Sequence, residues 1–249
     1  MPPKRRSRAT AAEAAGQAEG DDMVVEVAPT EAWTRRIDEL AALLARVFAD
    51  NRLYQGLFQL EGDAQDAALR WLFGKRLELL AIAGGPLAWA RDRATDRIVG
   101  MVGALPPDRK PSIPTMIRAG MGSWACRYGL ASFGRALYID AVLVAPGPGE
   151  WELAMMAVDP RIQGRGIGTR ILRTLCATIL ERTPSGAAHV RLTTQKEINV
   201  AFYGRQGFHL KRKDNVQNAF FRLPAFDSWE MAQVITKDSP VIRPAAGAK

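Results

Sequence analysis

The run Val158-Asp159-Pro160-Arg161-Ile162-Gln163-Gly164-Arg165-Gly166-Ile167-Gly168-Thr169 constrains this chain more than any other stretch. An apolar strand, Leu153 to Val158, leads into it. An amphipathic helix leads out, with Ile171, Leu172, Leu175, Ile179 and Leu180 at helical spacing. Glycines at 164, 166 and 168 remove the side chains that would hold the backbone away from a ligand. The N–H groups of the first helical turn, at the positive end of the helix dipole, then face an anion such as a pyrophosphate. Two familiar glycine motifs do not fit. Gly168-Thr169 lacks the lysine of a Walker loop, and the spacing GxGxG deep in the chain differs from a dinucleotide GxGxxG. A loop that merely turns the chain is the plainer alternative.

The 249 residues, 47% of them hydrophobic, suffice for one well-buried α/β domain with tails. No apolar run approaches the ~20 residues of a membrane span. Lys4, Arg5, Arg6 and Arg8 precede no hydrophobic core, so the start is not a secretory signal. Cys126 and Cys176 form no disulfide framework, which fits a reducing cytoplasm, and Cys176 reads as a small buried residue. Residues 1–22 read as a disordered tail whose basic residues are offset by Glu13, Glu19, Asp21 and Asp22. Residues 224–249 read as a second tail, with Phe226, Trp229, Met231, Val234 and Ile235 able to pack as a short helix.

The net charge of +8 is unevenly placed. Residues 161–249 carry 15 basic against 6 acidic residues, while residues 136–160 carry Asp140, Glu150, Glu152 and Asp159 and no base. A basic half suits a phosphate-rich ligand, and acids beside it suit a cationic one. The pI near 9.9 invites nucleic-acid binding, but no recognisable motif or basic helix with interleaved aromatics supports it.

Met23 to Ala28 reads as a first strand, and Thr30 as the cap of a helix over about 31–49. A second helix runs from Asp63 to about Ile82. Leu87–Arg91 and Ile98–Leu105 form a hairpin around Ala94-Thr95-Asp96. A mostly helical insert follows over about 108–145, stopped by Pro146-Gly147-Pro148-Gly149. A final strand pair is expected at about 207–213 and 217–223.

Gln163-Gly164-Arg165-Gly166-Ile167-Gly168 resembles the Gln/Arg-x-x-Gly-x-Gly/Ala signature of the GNAT superfamily of acyl-CoA N-acyltransferases. Trp151-Glu152-Leu153 through Val158-Asp159-Pro160 is similar to that family's fourth strand, and Val190-Arg191-Leu192-Thr193-Thr194 to its fifth. Asn199 to Tyr203 with Gly207-Phe208 matches its Asn-x-x-Phe-Tyr…Gly-Phe ending. A looser resemblance, to puromycin-type antibiotic acetyltransferases, rests on Val47-Phe48-Ala49-Asp50, the helical insert and Leu192-Thr193-Thr194.

The resemblance implies a mixed, mostly antiparallel sheet with helices on both faces, over residues 23–223, its fourth and fifth strands splayed around acetyl-CoA. It implies a cofactor site of Met156, Ala157, Val158, Gln163, Gly164, Arg165, Gly166, Ile167, Gly168, Thr169 and Asn199. Main-chain groups near Met156 and Val158 would pair with the pantetheine arm, with an N–H there facing the oxyanion. Asn199 would bond the arm, and Tyr203 would give a proton to the leaving thiolate; a phenol with pKa near ~10 keeps that proton at neutral pH. Glu152 is the candidate base. By period-two alternation it shares a strand face with Glu150 and Met156.

His189 and His209 stand apart from any ligand cluster, so no metal is expected. Arg161 and Arg165 flank the loop, facing phosphate or solvent. Trp124, Tyr128 and Tyr138 line an acceptor pocket or pack against the sheet. The expected activity is acetyl transfer to a small primary amine. Transfer to a protein N-terminus or lysine, and an acyl-CoA sensor without turnover, are the rivals. Oligomerisation is left open.

Overall fold

The computed structural model describes residues 22–109, 112–143 and 147–242, so the predicted tail over 1–22, save Asp22, lies outside the described residues. The first strand, β1 (Met23–Ala28), falls where its apolar pattern put it. The helix expected over 31–49 is two helices, α1 (Thr30–Thr34) and α2 (Ile37–Phe48), with Pro29 rather than Thr30 at the cap. A short helix α3 (Arg52–Phe58) follows, capped by Asn51, whose side chain accepts from Leu53 N at 2.9 Å. The long helix α4 spans Gly62–Ile82.

The hairpin β2 (Leu87–Asp92) and β3 (Ile98–Leu105) closes through Asp92, whose carboxylate accepts from the N–H groups of Ala94 and Thr95. The insert carries α5 (Ile113–Arg118) and α6 (Trp124–Val142), the latter broken at Gly129, where φ is 80°. Strand β4 (Trp151–Val158) leads through the glycine loop into α7 (Ile167–Glu181). β5 (Ala188–Thr194) and α8 (Glu197–Arg205) follow, then β6 (His209–Asn218) and β7 (Leu223–Ile235).

The last strand corrects two expectations. Residues 224–235 are neither tail nor short helix: β7 is the longest strand and lies between β5 and β6 in the order β1-β2-β3-β4-β5-β7-β6. Trp229, Met231, Gln233 and Ile235 are all buried, and this alternation is what a strand inside a sheet requires. The edge strand β6 is largely exposed and carries Lys211, Arg212, Lys213 and Asp214, charges that discourage edge-to-edge pairing.

The sheet separates two cores. On one face α2, α3 and α4 bury Leu40, Leu44, Leu57, Leu69 and Phe73 with Met101, Met155 and Ala157. On the other, α7 buries Ile171, Leu172, Leu175, Cys176 and Ile179 with Val102, Leu153, Val190 and Met231. Cys176 is thus the small core residue its position suggested. No helix of the described residues is long and apolar enough to cross a membrane.

Candidate active site

β4 and β5 run parallel, but pair only over Trp151–Leu153 against Val190–Leu192. Beyond that point they part, and the backbone of Ala154 to Val158 is left with β3 on one side and no strand on the other. The gap is a slot with unpaired main-chain groups, the arrangement that accepts an extended ligand as an added strand.

β4 does not alternate evenly. Its register against β3 shifts at Ala154: Gly103 faces Met155, while Ala104 faces Leu153. The extra residue is a β-bulge, and it exchanges the two faces of the strand. Trp151 and Leu153 pack with α7, whereas Met155 and Ala157 pack with α2 and α4. Glu152, opposite Leu105, therefore lies on the α2 and α4 side, and Met156 lies on the α7 side. The expectation that Glu152 and Met156 share a face is overturned, because plain alternation cannot count through a bulge. Glu150 is not its electrostatic companion either: its carboxylate accepts from Gly147 N at 2.7 Å and closes the preceding turn.

The loop after β4 is held from below. Asp159 is 2% exposed and accepts from Arg161 Nε at 3.0 Å, Arg161 Nη2 at 2.8 Å and Arg97 Nη2 at 2.6 Å. The bonds from Arg161, with that from Arg97, hold its carboxyl far below the usual carboxylate range. Gln163 Nε2 donates to Val158 O at 3.0 Å, folding the loop back on the strand end. Gly164 (φ 83°) and Gly166 (φ 72°) take the left-handed conformation that glycine tolerates, and a Cβ on either would meet open space. Gly166 caps α7, so the first-turn N–H groups of Ile167, Gly168 and Thr169 have no carbonyl of that helix to bond. Gly168 differs: its φ is ordinary, and a Cβ there would stand 3.3 Å from the Met156 methyl and 3.5 Å from the Phe202 ring.

α8 brings the last two residues to the slot. Asn199 Nδ2 donates to Thr194 Oγ1 at 2.9 Å, fastening the helix to the end of β5. One turn later Tyr203 is 8% exposed and its hydroxyl donates to Met156 Sδ at 3.4 Å, so it reaches across the gap to β4. Burial pushes its phenol well above its ordinary value of 10.0, and the neighbouring Cys176 adds to the effect. Phe202 and Phe208 pack edge-on to the ring at 5.1 and 5.8 Å. Thr169 is tied to the same helix end by Gln206 Nε2 at 3.3 Å. The predicted site residues thus gather around one slot, except that Glu152 and Met156 approach from opposite faces.

The insert aromatics pack rather than stand open. Trp124 stacks on Phe58 and meets Trp71 edge-on, and Tyr128 meets both. Their partners are α3 and α4, not the sheet. Sequence reading missed Arg135, which is buried in α6 and bonds Leu57 O at 2.8 Å and Phe221 O at 3.3 Å. Tyr138 Oη donates to Gln217 O at 2.9 Å. Together they bridge α3 to the β6–β7 turn. The sequence offered no signal that set Arg135 apart, since Arg127 and Asp140 lie in the same helix. Among the described residues no cluster of His, Cys, Asp or Glu could hold a metal.

Residues 51–208, more than half of the chain, match the model of the "Acetyltransferase (GNAT) family". The N-alpha-acetyltransferase RimI of Mycobacterium tuberculosis is 31% identical over 84 residues, 34% of this chain and 49% of that protein. An uncharacterized Mycobacterium leprae protein is 39% identical over 61 residues, 24% of this chain and 16% of its own length. The matched stretches thus span about half or less of these curated relatives. Among solved structures, a histone acetyltransferase HPA2-related acetyltransferase from Corynebacterium glutamicum superposes with TM-score 0.55 at 22% identity, covering 84% of this chain and 95% of that one. The Drosophila melanogaster polyamine N-acetyltransferase gives 0.54 at 18%, covering 86% and 100%. At such identities the likeness is one of fold.

Proposed function

The chain belongs to the GNAT acetyltransferase family, and from that premise we propose that it moves acetyl from acetyl-CoA to the primary amine of a small molecule by direct attack. The observation that carries the reading is the parted β4–β5 edge, with the Tyr203 hydroxyl reaching across it and the glycine loop at its end. These residues fit the donor. The loop offers unbonded N–H groups and open space at Gly164 and Gly166 for a pyrophosphate, and the free edge of β4 offers main-chain partners for a pantetheine arm. Met156, Ala157, Val158, Gln163, Arg165, Ile167, Gly168, Thr169 and Asn199 complete that set.

Acetyl-CoA supplies the activated acyl group. Tyr203, whose proton is retained by burial, gives it to the departing sulfur, and a β4 N–H beside the bulge supports the charge that develops on the carbonyl oxygen. Glu152 lies across the sheet from Met156, so it serves an amine arriving from the α2 and α4 side. It takes the proton directly or through water.

Two observations bear on the acceptor. Arg135 and Tyr138 tie the insert to the β6–β7 turn and α3, and an insert fastened in this way supports a small amine of the aminonucleoside or polyamine kind as the acceptor. The stretch similar to RimI favours a protein N-terminus as the second reading. Thiol release from acetyl-CoA decides between them, measured with an aminonucleoside, polyamines, aminoglycosides and short peptides. Turnover on a small amine supports the first reading, and turnover on peptides alone supports the second. Silence, with no rise in melting temperature on adding acetyl-CoA, would reject the donor assignment.

A further inference from the structure

We infer that a recess on the α2 face, separate from the slot, is a second anion site built for a phosphate ester. The recess has a volume of about 380 Å³ and is lined by Glu39, Ala42, Arg46, Arg97, Ile98 and Arg161. That size suits a small ligand. Half of its lining is arginine, drawn from three places in the chain: the outer face of α2, the start of β3 and the turn after β4.

The acids nearby are already committed. Glu39 accepts from Arg36 Nε at 2.8 Å through one oxygen and from Ile98 N at 2.8 Å through the other. Asp159 is buried beneath Arg97 and Arg161 and accepts from both. Four guanidinium groups (Arg36, Arg46, Arg97, Arg161) thus stand against three carboxylates, Glu39, Asp159 and Asp96, the last paired with Arg36 at 2.9 Å, leaving a surplus of one positive charge. Arg46 has no carboxylate within ion-pair reach among the described residues. Arg97 and Arg161 keep donors beyond those given to Asp159. Planar forks that share one recess with a positive surplus suit the oxygens of a phosphate ester in sign and in geometry. The apolar Ala42 and Ile98 line the same recess and suit the carbon side of such an ester.

The recess stands apart from the glycine loop. It lies on the α2 side of the sheet, while the glycine loop opens α7 on the other. The ester has two possible sources, a free phosphorylated metabolite or the 3′-phosphate of the coenzyme itself. Arg46 is the residue to change, since it is exposed on a helix where alanine is well tolerated.

The test is calorimetric titration of inorganic phosphate into the whole chain, into Arg46→Ala and into Arg46→Glu. We expect saturable binding, weakened about tenfold by Arg46→Ala and abolished by Arg46→Glu, with the melting temperatures of the free proteins alike. Repeating the titration with saturating coenzyme A and with its dephospho form separates the sources. Phosphate binding blocked by the first alone assigns the recess to the coenzyme's 3′-phosphate, and binding that persists with both assigns it to another ester. Absence of saturable binding, equal affinity in all three proteins, or displacement by both coenzymes would each overturn the site; the last would put the phosphate on the glycine loop.

Discussion

Replacing Tyr203 with phenylalanine tests the proposed chemistry most directly, because the structure separates its effect on folding from its effect on turnover. The ring keeps its edge-on contacts with Phe202 and Phe208. The lost hydroxyl surrenders one bond to a thioether sulfur, a weak acceptor, at 3.4 Å. Stability should therefore change by less than ~1 kcal/mol. Turnover should fall much further. If the hydroxyl protonates the leaving thiolate, its removal lowers kcat at least tenfold, or ~1.4 kcal/mol in the barrier. Burial also lifts the phenol well above 10.0, so no alkaline fall in kcat from this group is expected below that pH.

The assay is steady-state thiol release with the best amine from the panel, for both proteins, alongside their melting curves. A donor thioester with a more acidic thiol needs less protonation and should recover much of the lost rate in the variant. A variant that turns over within twofold of the parent would refute the role. So would a tenfold loss that the better leaving group does nothing to relieve.

Gly166→Ala forces a side chain into the left-handed region and should cost about 1–2 kcal/mol with weaker acetyl-CoA binding. Gly168→Ala needs only a small movement of the Met156 methyl and should be milder; melting curves with and without acetyl-CoA rank the two. Arg135→Met leaves the carbonyls of Leu57 and Phe221 without their donor and should destabilise by about 2 kcal/mol. Under the small-amine reading it also raises KM for the amine while leaving KM for acetyl-CoA nearly unchanged. The Cys176 thiol, pushed up to about 12 by burial, gives an alkaline signature. The unfolded chain releases this proton first, so its contribution to stability is complete below pH ~9 and is lost as pH rises toward the folded value, at about 1.4 kcal/mol per pH unit. Denaturant titrations from pH 8 to 11 should show a shallower fall in Cys176→Ala.

What was legible in the sequence was mostly local. The βα turn depends on glycines at 164 and 166 and on a helix pattern that begins at once, so its residues could be read without knowing their neighbours. The same holds for the spacing of Asn199 and Tyr203, four apart on one helix. The parts that failed depend on partners distant in the chain. Ala154 looks like any strand residue, and its bulge exists only against β3, so the face of Glu152 was misjudged. In residues 224–235, Met231, Val234 and Ile235 stand at helical spacing while Trp229, Met231 and Ile235 fit a strand, and pairing with β5 and β6 decided the matter. α3 was missed although Asn51 offered a capping signal, because seven residues are too few for a periodic pattern to stand out.

The placement of β7 sets an order on how the protein can be made. β6 has no other strand to pair with, and β5 would show an open edge until residues 223–235 arrive to fill it. While the ribosome is still adding those residues, Val190 and Leu192 belong to a border strand, and the helix carrying Asn199 and Tyr203 lacks the floor against which it later rests. The nascent chain can therefore assemble its first hairpin and α2–α4 early, but the slot closes late, in a step that joins segments far apart and so carries the slow, non-local part of folding. Chains halted near residue 220 should be the aggregation-prone species, and a chaperone acting on this protein has most to protect at that length.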